Sequence, residues 1–142
     1  MKYKIALIGC GRISFKHIEA FVFMKGRVQF VAACDPILER AEEKRLEYKK
    51  SLPNADVKIF ADYKEMLKEC KPDVVTIATE SGKHKDIAVH CLKNGAHVIC
   101  EKPMALSTSN AQTMIDTAKQ NNKKLAVCFQ NRFNAPVVKT RE

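Results

Sequence analysis

Apolar and polar positions along this chain fall into two alternating rhythms. Short, nearly continuous apolar runs recur at Lys4–Ile8, Val28–Cys34, Val57–Phe60, Val74–Thr79, His97–Cys100 and Leu125–Phe129, and each predicts a strand. Between them lie stretches with apolar residues three and four apart, which predict helices. These helices run from about Arg12 to Lys25, from Ile37 to Lys50, from Asp62 to Cys70, from Lys83 to Asn94, and from Ser107 or Ser109 to about Asn121. Gly26 and Gly95 stand where a left-handed residue would end the first and fourth helices. Asp62-Tyr63-Lys64-Glu65 has the spacing of a capping box. Strand and helix alternate throughout, which predicts an α/β fold with a doubly wound parallel sheet of about six strands and helices on both faces. Ligands of such folds lie across the carboxyl ends of the strands where the strand order reverses, here strands one and four.

The first strand runs directly into Gly9-Cys10-Gly11-Arg12-Ile13-Ser14, and a helix opens at once. A helix N-terminus presents bare N–H groups suited to a pyrophosphate. Gly9 would allow the tight turn, and Gly11 would let the backbone approach the phosphates. Ser14 takes the place of the third small residue of the Rossmann fingerprint. The second strand ends at Asp35, which follows Gly11 by close to the ~20 residues expected of an acid that binds the adenosine ribose. The alternative for Asp35 is a cap on the next helix, with Pro36 in the first turn. An acid there repels a 2′-phosphate and favours NAD over NADP; nearby Arg40 would soften that preference.

The 142 residues are 46% hydrophobic and 29% charged, enough for one globular domain with a sizeable core. No apolar run approaches a membrane span, and the start does not read as a signal peptide. Cys10, Cys34, Cys70, Cys91, Cys100 and Cys128 form no C-x-x-C pair. They read as small apolar residues in a reducing cytoplasm, with no metal site expected. The net charge of +9 raises nucleic acid as a partner. The cations, however, alternate with acids, as in Glu39-Arg40-Ala41-Glu42-Glu43-Lys44-Arg45, which reads as a solvated helix face, so no nucleic-acid partner is expected. The charge remains compatible with an anionic small molecule.

After the fifth strand, Glu101-Lys102-Pro103 places an ammonium at the carboxyl edge of the sheet, and Pro103 holds Lys102 extended. The alternative is a surface ion pair beside a proline corner. Together with the glycine loop, Cys34-Asp35-Pro36, Thr79-Glu80-Ser81-Gly82-Lys83-His84 and Gln130-Asn131-Arg132-Phe133-Asn134, this segment resembles the glucose–fructose oxidoreductase / inositol dehydrogenase / MocA family. The resemblance covers essentially the whole chain. The Thr79–His84 and Gln130–Asn134 wording is most similar to the branch that oxidises UDP-N-acetyl-2-amino-2-deoxyglucuronate at its 3-hydroxyl, a branch serving cell-surface polysaccharides.

The resemblance implies NAD as cofactor, held by Gly9, Gly11, Arg12, Ile13, Asp35, Thr79, Glu80, Ser81, Gly82, His84, Glu101, Lys102 and Gln130. It implies a catalytic role for Lys102 against the hydroxyl being oxidised, with a sugar or nucleotide sugar as substrate. It further implies an enzyme of roughly 300 to 400 residues, two to three typical domain lengths. Residues 1–130 would be the dinucleotide-binding domain. Residues 131–142 would begin the connection to a C-terminal α/β domain that carries an aspartate and a histidine and a homo-oligomer interface. In this chain His84 would be the nearest substitute base, or simply a helix-start histidine near the cofactor. The reading from a different class is a dinucleotide-sensing regulator without catalysis, against which Lys102 argues.

Overall fold

A computed structural model of the chain describes residues 1–141. Its strands are β1 (Tyr3–Ile8), β2 (Val28–Cys34), β3 (Lys58–Phe60), β4 (Val74–Ile77), β5 (His97–Cys100) and β6 (Leu125–Val127). They form one sheet in the order β3-β2-β1-β4-β5-β6, with every neighbouring pair parallel. The helices are α1 (Ser14–Phe23), α2 (Leu38–Ser51), α3 (Tyr63–Cys70), α4 (His84–Lys93), α5 (Thr108–Gln120) and α6 (Ala135–Arg141). The doubly wound architecture expected from the alternation is the one observed.

The chain winds outward from β1 to β3, then crosses back to β4 and winds the other way. Because parallel crossovers are right-handed, reversing the direction moves the helices to the opposite face. Successive residues of β1 divide accordingly. Ile5 and Leu7 pack with Ile18 and Phe21 of α1 and Ala41 and Tyr48 of α2. Ala6 and Ile8 pack with Met66 of α3, Leu92 of α4 and Met114 of α5. A strand buried on both faces must be apolar at consecutive positions, which is why β1 shows no alternation in the sequence.

Several element ends differ from expectation. β4 stops at Ile77 and β6 at Val127, short of Thr79 and Phe129, because the chain peels away at the carboxyl edge to form loops. Helix α1 begins at Ser14, since residues 11–13 are spent in a turn closed by the Ser14 N–H on the Gly11 carbonyl. Gly26 is not the left-handed residue the sequence suggested; among the glycines only Gly9 and Gly95 have positive φ, both 88°. Helix α1 ends instead on the Met24 N–H bonded to the Ala20 carbonyl. At α3, Asp62 caps the Lys64 N–H at 2.7 Å. At α5 the cap is Ser107, bonded to the Asn110 N–H. Beyond the sheet, residues 130–133 form a single 3-10 turn that leads into α6, and every described residue from Phe129 onward is exposed. Glu142 lies outside the described residues.

Candidate functional site

The site grows from the point where β1 and β4 end side by side. Gly9 turns the chain at φ 88°, its N–H donating to the Cys34 carbonyl at 2.8 Å. A Cβ at Gly9 would stand 2.6 Å from the Thr79 nitrogen and 2.7 Å from the Ala78 carbonyl carbon. The two strands can approach this closely only because residue 9 lacks a side chain. At Gly11 a Cβ would meet nothing within 4 Å. The N–H groups of Gly11, Arg12 and Ile13 donate to no protein acceptor among the described residues. An open cradle with free donors leading into a helix suits an oxyanion. Ser14 closes the loop beneath, fully buried, its hydroxyl donating to the Gly11 carbonyl.

Asp35 sits at the end of β2, buried but for 7% of its surface. Its Oδ2 accepts from the Cys10 N–H and its Oδ1 from the Ile37 N–H, each at 2.9 Å. The carboxylate therefore shapes the glycine loop and the start of the β2–α2 turn together. A carboxylate offers about four acceptor positions, so capacity remains for ligand hydroxyls. The cap reading of Asp35 is replaced by this turn geometry, since α2 starts only at Leu38 and has no side-chain cap. A cavity of about 750 Å³ opens here, lined by Gly9, Gly11, Asp35, Ile37, Arg40, Asp62, Tyr63, Thr79, Glu80 and Lys83 among others. That is within the ~300–1,000 Å³ of ordinary ligand pockets. Glu80 is held below the usual carboxylate range by its bond to Lys83.

The loop after β4 makes a 3-10 turn, Ser81–Lys83, before α4. His84 opens α4 at 1% exposure, with Nδ1 2.9 Å from the Pro103 carbonyl and Nε2 3.0 Å from the Thr79 carbonyl. Only the imidazolium serves both acceptors at once; the neutral ring donates to one at a time. As placed, both ring nitrogens face carbonyl oxygens inside the protein.

Glu101 follows β5 and is likewise turned inward. Its Oε1 meets His17 Nε2 at 2.9 Å, and its Oε2 accepts from the Lys102 N–H at 3.3 Å. The Cys128 thiol lies within 4.8 Å of the same carboxylate; burial first and the nearby carboxylate second push that thiol up to about 11, so it stays protonated. Burial lowers His17 below the usual histidine range, against the upward pull of Glu101, so a neutral ring donates to the carboxylate. His17, Glu101 and Cys128 thus cluster within 4.8 Å of one another around one carboxylate, with His17 hydrogen-bonded to it. The Lys102–Pro103 peptide is cis, and Lys102 is exposed at the carboxyl edge.

Of the expected residues, the fold gathers Gly9, Gly11, Asp35, Thr79 and Glu80 on one cavity wall. Arg12, Ile13, Gly82, Lys102 and Gln130 are exposed, and Ser81 half-buried, in loops that follow the strands. His84 and Glu101 lie buried beneath. Sequence reasoning missed His17 altogether. Its signal was present: it stands three residues after Ser14 and four before Phe21, on the buried face of α1. Ile37, Asp62 and Tyr63 were also missed as cavity wall, because nothing local in the sequence tells a wall from a surface.

Comparison with known proteins adds independent findings. The profile of the Gfo/Idh/MocA group, described as an oxidoreductase family with an NAD-binding Rossmann fold, matches residues 3–129. D-glucoside 3-dehydrogenase of Escherichia coli K12 is 31% identical over 139 residues, 98% of this chain and 38% of the relative. Inositol 2-dehydrogenase of Salmonella typhimurium is 27% identical over 142 residues, 99% of this chain and 41% of the relative. The crystal structure of the WlbA dehydrogenase from Bordetella pertussis with NADH and UDP-GlcNAcA superposes with a TM-score of 0.86 at 30% identity, covering 98% of this chain and 40% of that one. The chain therefore spans about two fifths of the length of the relatives it matches.

Proposed function

This chain belongs to the Gfo/Idh/MocA oxidoreductase family as an NAD-binding Rossmann domain, and we propose that it is the cofactor half of an enzyme that oxidises a sugar hydroxyl. The finer reading is oxidation at the 3-hydroxyl of a UDP-linked N-acetylated aminosugar uronate. The WlbA structure, which holds NADH and UDP-GlcNAcA, supports it, as does the E. coli relative, named for position 3 of a glucoside. The wider reading is another sugar or an inositol, as in the Salmonella relative. The observation that carries the proposal is the glycine loop with three unpartnered N–H groups, at a cavity that Gly9, Gly11 and Asp35 line together.

In this reading the N–H groups of residues 11–13 bind the pyrophosphate, and Asp35 accepts from the adenosine ribose. Thr79, Glu80, Ser81 and Gly82 flank the dinucleotide, while Gln130 and the main chain at Glu101 and Lys102 border its nicotinamide end. NAD supplies the hydride acceptor when bound. Lys102 donates a hydrogen bond to the reacting oxygen and stabilises the negative charge that develops as its proton leaves. Residues beyond 130 lead to a substrate domain that supplies the base, the groups that read the sugar and a homo-oligomer contact. A cytoplasmic location accords with the six free cysteines, and no described helix is long and apolar enough to cross a membrane.

The test is calorimetric titration of NAD into this chain, joined to turnover of the protein with its substrate domain. The chain alone binds NAD and shows no sugar-dependent reduction of it, because substrate must be held at near-attack distance. In the longer protein, Lys102→Met keeps NAD affinity and lowers turnover by at least ~10². A near-normal rate in that variant would reduce Glu101-Lys102-Pro103 to a structural corner.

A further inference from the structure

Two loops distant in sequence meet in front of α4: the Thr79–Lys83 loop after β4 and the loop that carries Lys102 after β5. Among the described residues, the side-chain hydrogen bonds that reach both loops come from one buried ring. His84 points Nδ1 at the Pro103 carbonyl and Nε2 at the Thr79 carbonyl, 2.9 and 3.0 Å away. We propose that His84 is a positioning residue that sets the cofactor-side loop and the Lys102 loop against each other. The inference rests on the assignment of Thr79 to the cofactor wall and of Lys102 to the reacting oxygen.

The physical case has three parts. Burying an imidazole is unfavourable unless its nitrogens find partners, so a ring at 1% exposure with an acceptor at each end belongs to a built contact. The ring is planar and rigid, so the separation of the two carbonyls is fixed by its own width. Finally, Pro103 is the residue after Lys102, while Glu101 before it is held by His17. Lys102 is thus exposed but pinned on both sides, one pin coming from α1 behind the glycine loop and the other from α4 behind the Thr79 loop. Each of the two loops is thus anchored by its own bond to a buried histidine ring.

Two conservative substitutions separate the two arms. His84→Asn keeps an N–H donor near the Nδ1 position and loses reach to Thr79; His84→Gln keeps a donor near Nε2 and releases Pro103. NAD affinity is read by calorimetry, the Lys102 and Met104 amides by two-dimensional NMR, and folding by thermal melt. His84→Asn is expected to weaken NAD binding about three- to tenfold, the scale of one neutral hydrogen bond, with the Lys102 and Met104 resonances unmoved. His84→Gln is expected to leave NAD affinity within about twofold and to move both resonances. Variants that change both readouts together, or neither, overturn the proposal. If the unsubstituted chain fails to bind NAD, the functional reading falls instead, and the Thr79 and Lys102 amides still decide whether the arms separate. If a variant does not fold, the ring of the unsubstituted protein decides. Exchange-protected His84 N–H groups with cross-bond coupling to both carbonyls support the joint, and coupling to one carbonyl alone or a freely exchanging ring overturns it.

Discussion

Gly9 and Gly11 look equivalent in the motif and answer different needs. A Cβ on Gly9 would meet Thr79 backbone at 2.6 Å and sit at φ 88°, so Gly9→Ala should destabilise the fold. The left-handed backbone alone costs about 1–3 kcal/mol, read as a lower melting temperature. Gly11 has open space, so Gly11→Val should melt nearly as the parent does while losing NAD in a calorimetric titration. Asp35→Ala should weaken NAD binding roughly ten- to a hundredfold, since a hydrogen bond to a charged group is worth about 1.5–3 kcal/mol, and should narrow the gap to NADP. Part of that loss will come from the loop, because the same carboxylate holds the Cys10 N–H. His17 makes stability depend on pH. Its folded value lies below that of the unfolded chain, so its contribution is complete above about pH 6.5 and fades as pH falls toward the folded value. His17→Gln should flatten that acid-side slope in melts taken from about pH 7 to 5. The placement of Gly9 and Asp35 at the ends of β1 and β2 was legible because spacing marks it. The inward turn of the His84 and Glu101 side chains was not, because only the fold reveals which way a side chain turns.

The elements themselves were mostly written in the pattern. Continuous apolar runs mark strands covered on both faces, and the change of helix face across the sheet follows from order and handedness alone. What escaped the pattern lies at the ends. The apolar character of β4 continues to Ala78, yet the strand ends at Ile77, and Ala78, still bonded through its N–H to the Ile8 carbonyl, passes close against Gly9. Gly26 resembled a helix terminator, but Met24 closes α1 before the chain reaches it. Of the two serines able to start α5, the structure uses Ser107, whose hydroxyl accepts from the Asn110 N–H at 3.2 Å. Ser107→Ala should lower stability by about 1 kcal/mol in a denaturant melt, the usual loss for an N-cap, and Ser109→Ala should change it much less.

At the scale of the whole molecule, the cysteines share one environment. Cys10, Cys34, Cys91 and Cys100 are each pushed up to about 12, chiefly by burial. Since the thiolate is the reactive form, a thiol-specific reagent near pH 8 should leave these four untouched in the native protein and label all six after denaturation. Rapid labelling of any of these four in the native protein would contradict the packing described for both faces of the sheet. The strand order has a consequence of another kind, in time rather than space. β1 leaves the ribosome ahead of the other described strands, and one of its two neighbours, β4, begins only at Val74. At ~5–20 residues per second, β1 waits on the order of ten seconds with one apolar edge unpaired. The strand that will sit at the centre of the molecule is therefore, while the chain is being made, its most exposed edge, and chaperone demand should be greatest before β4 emerges.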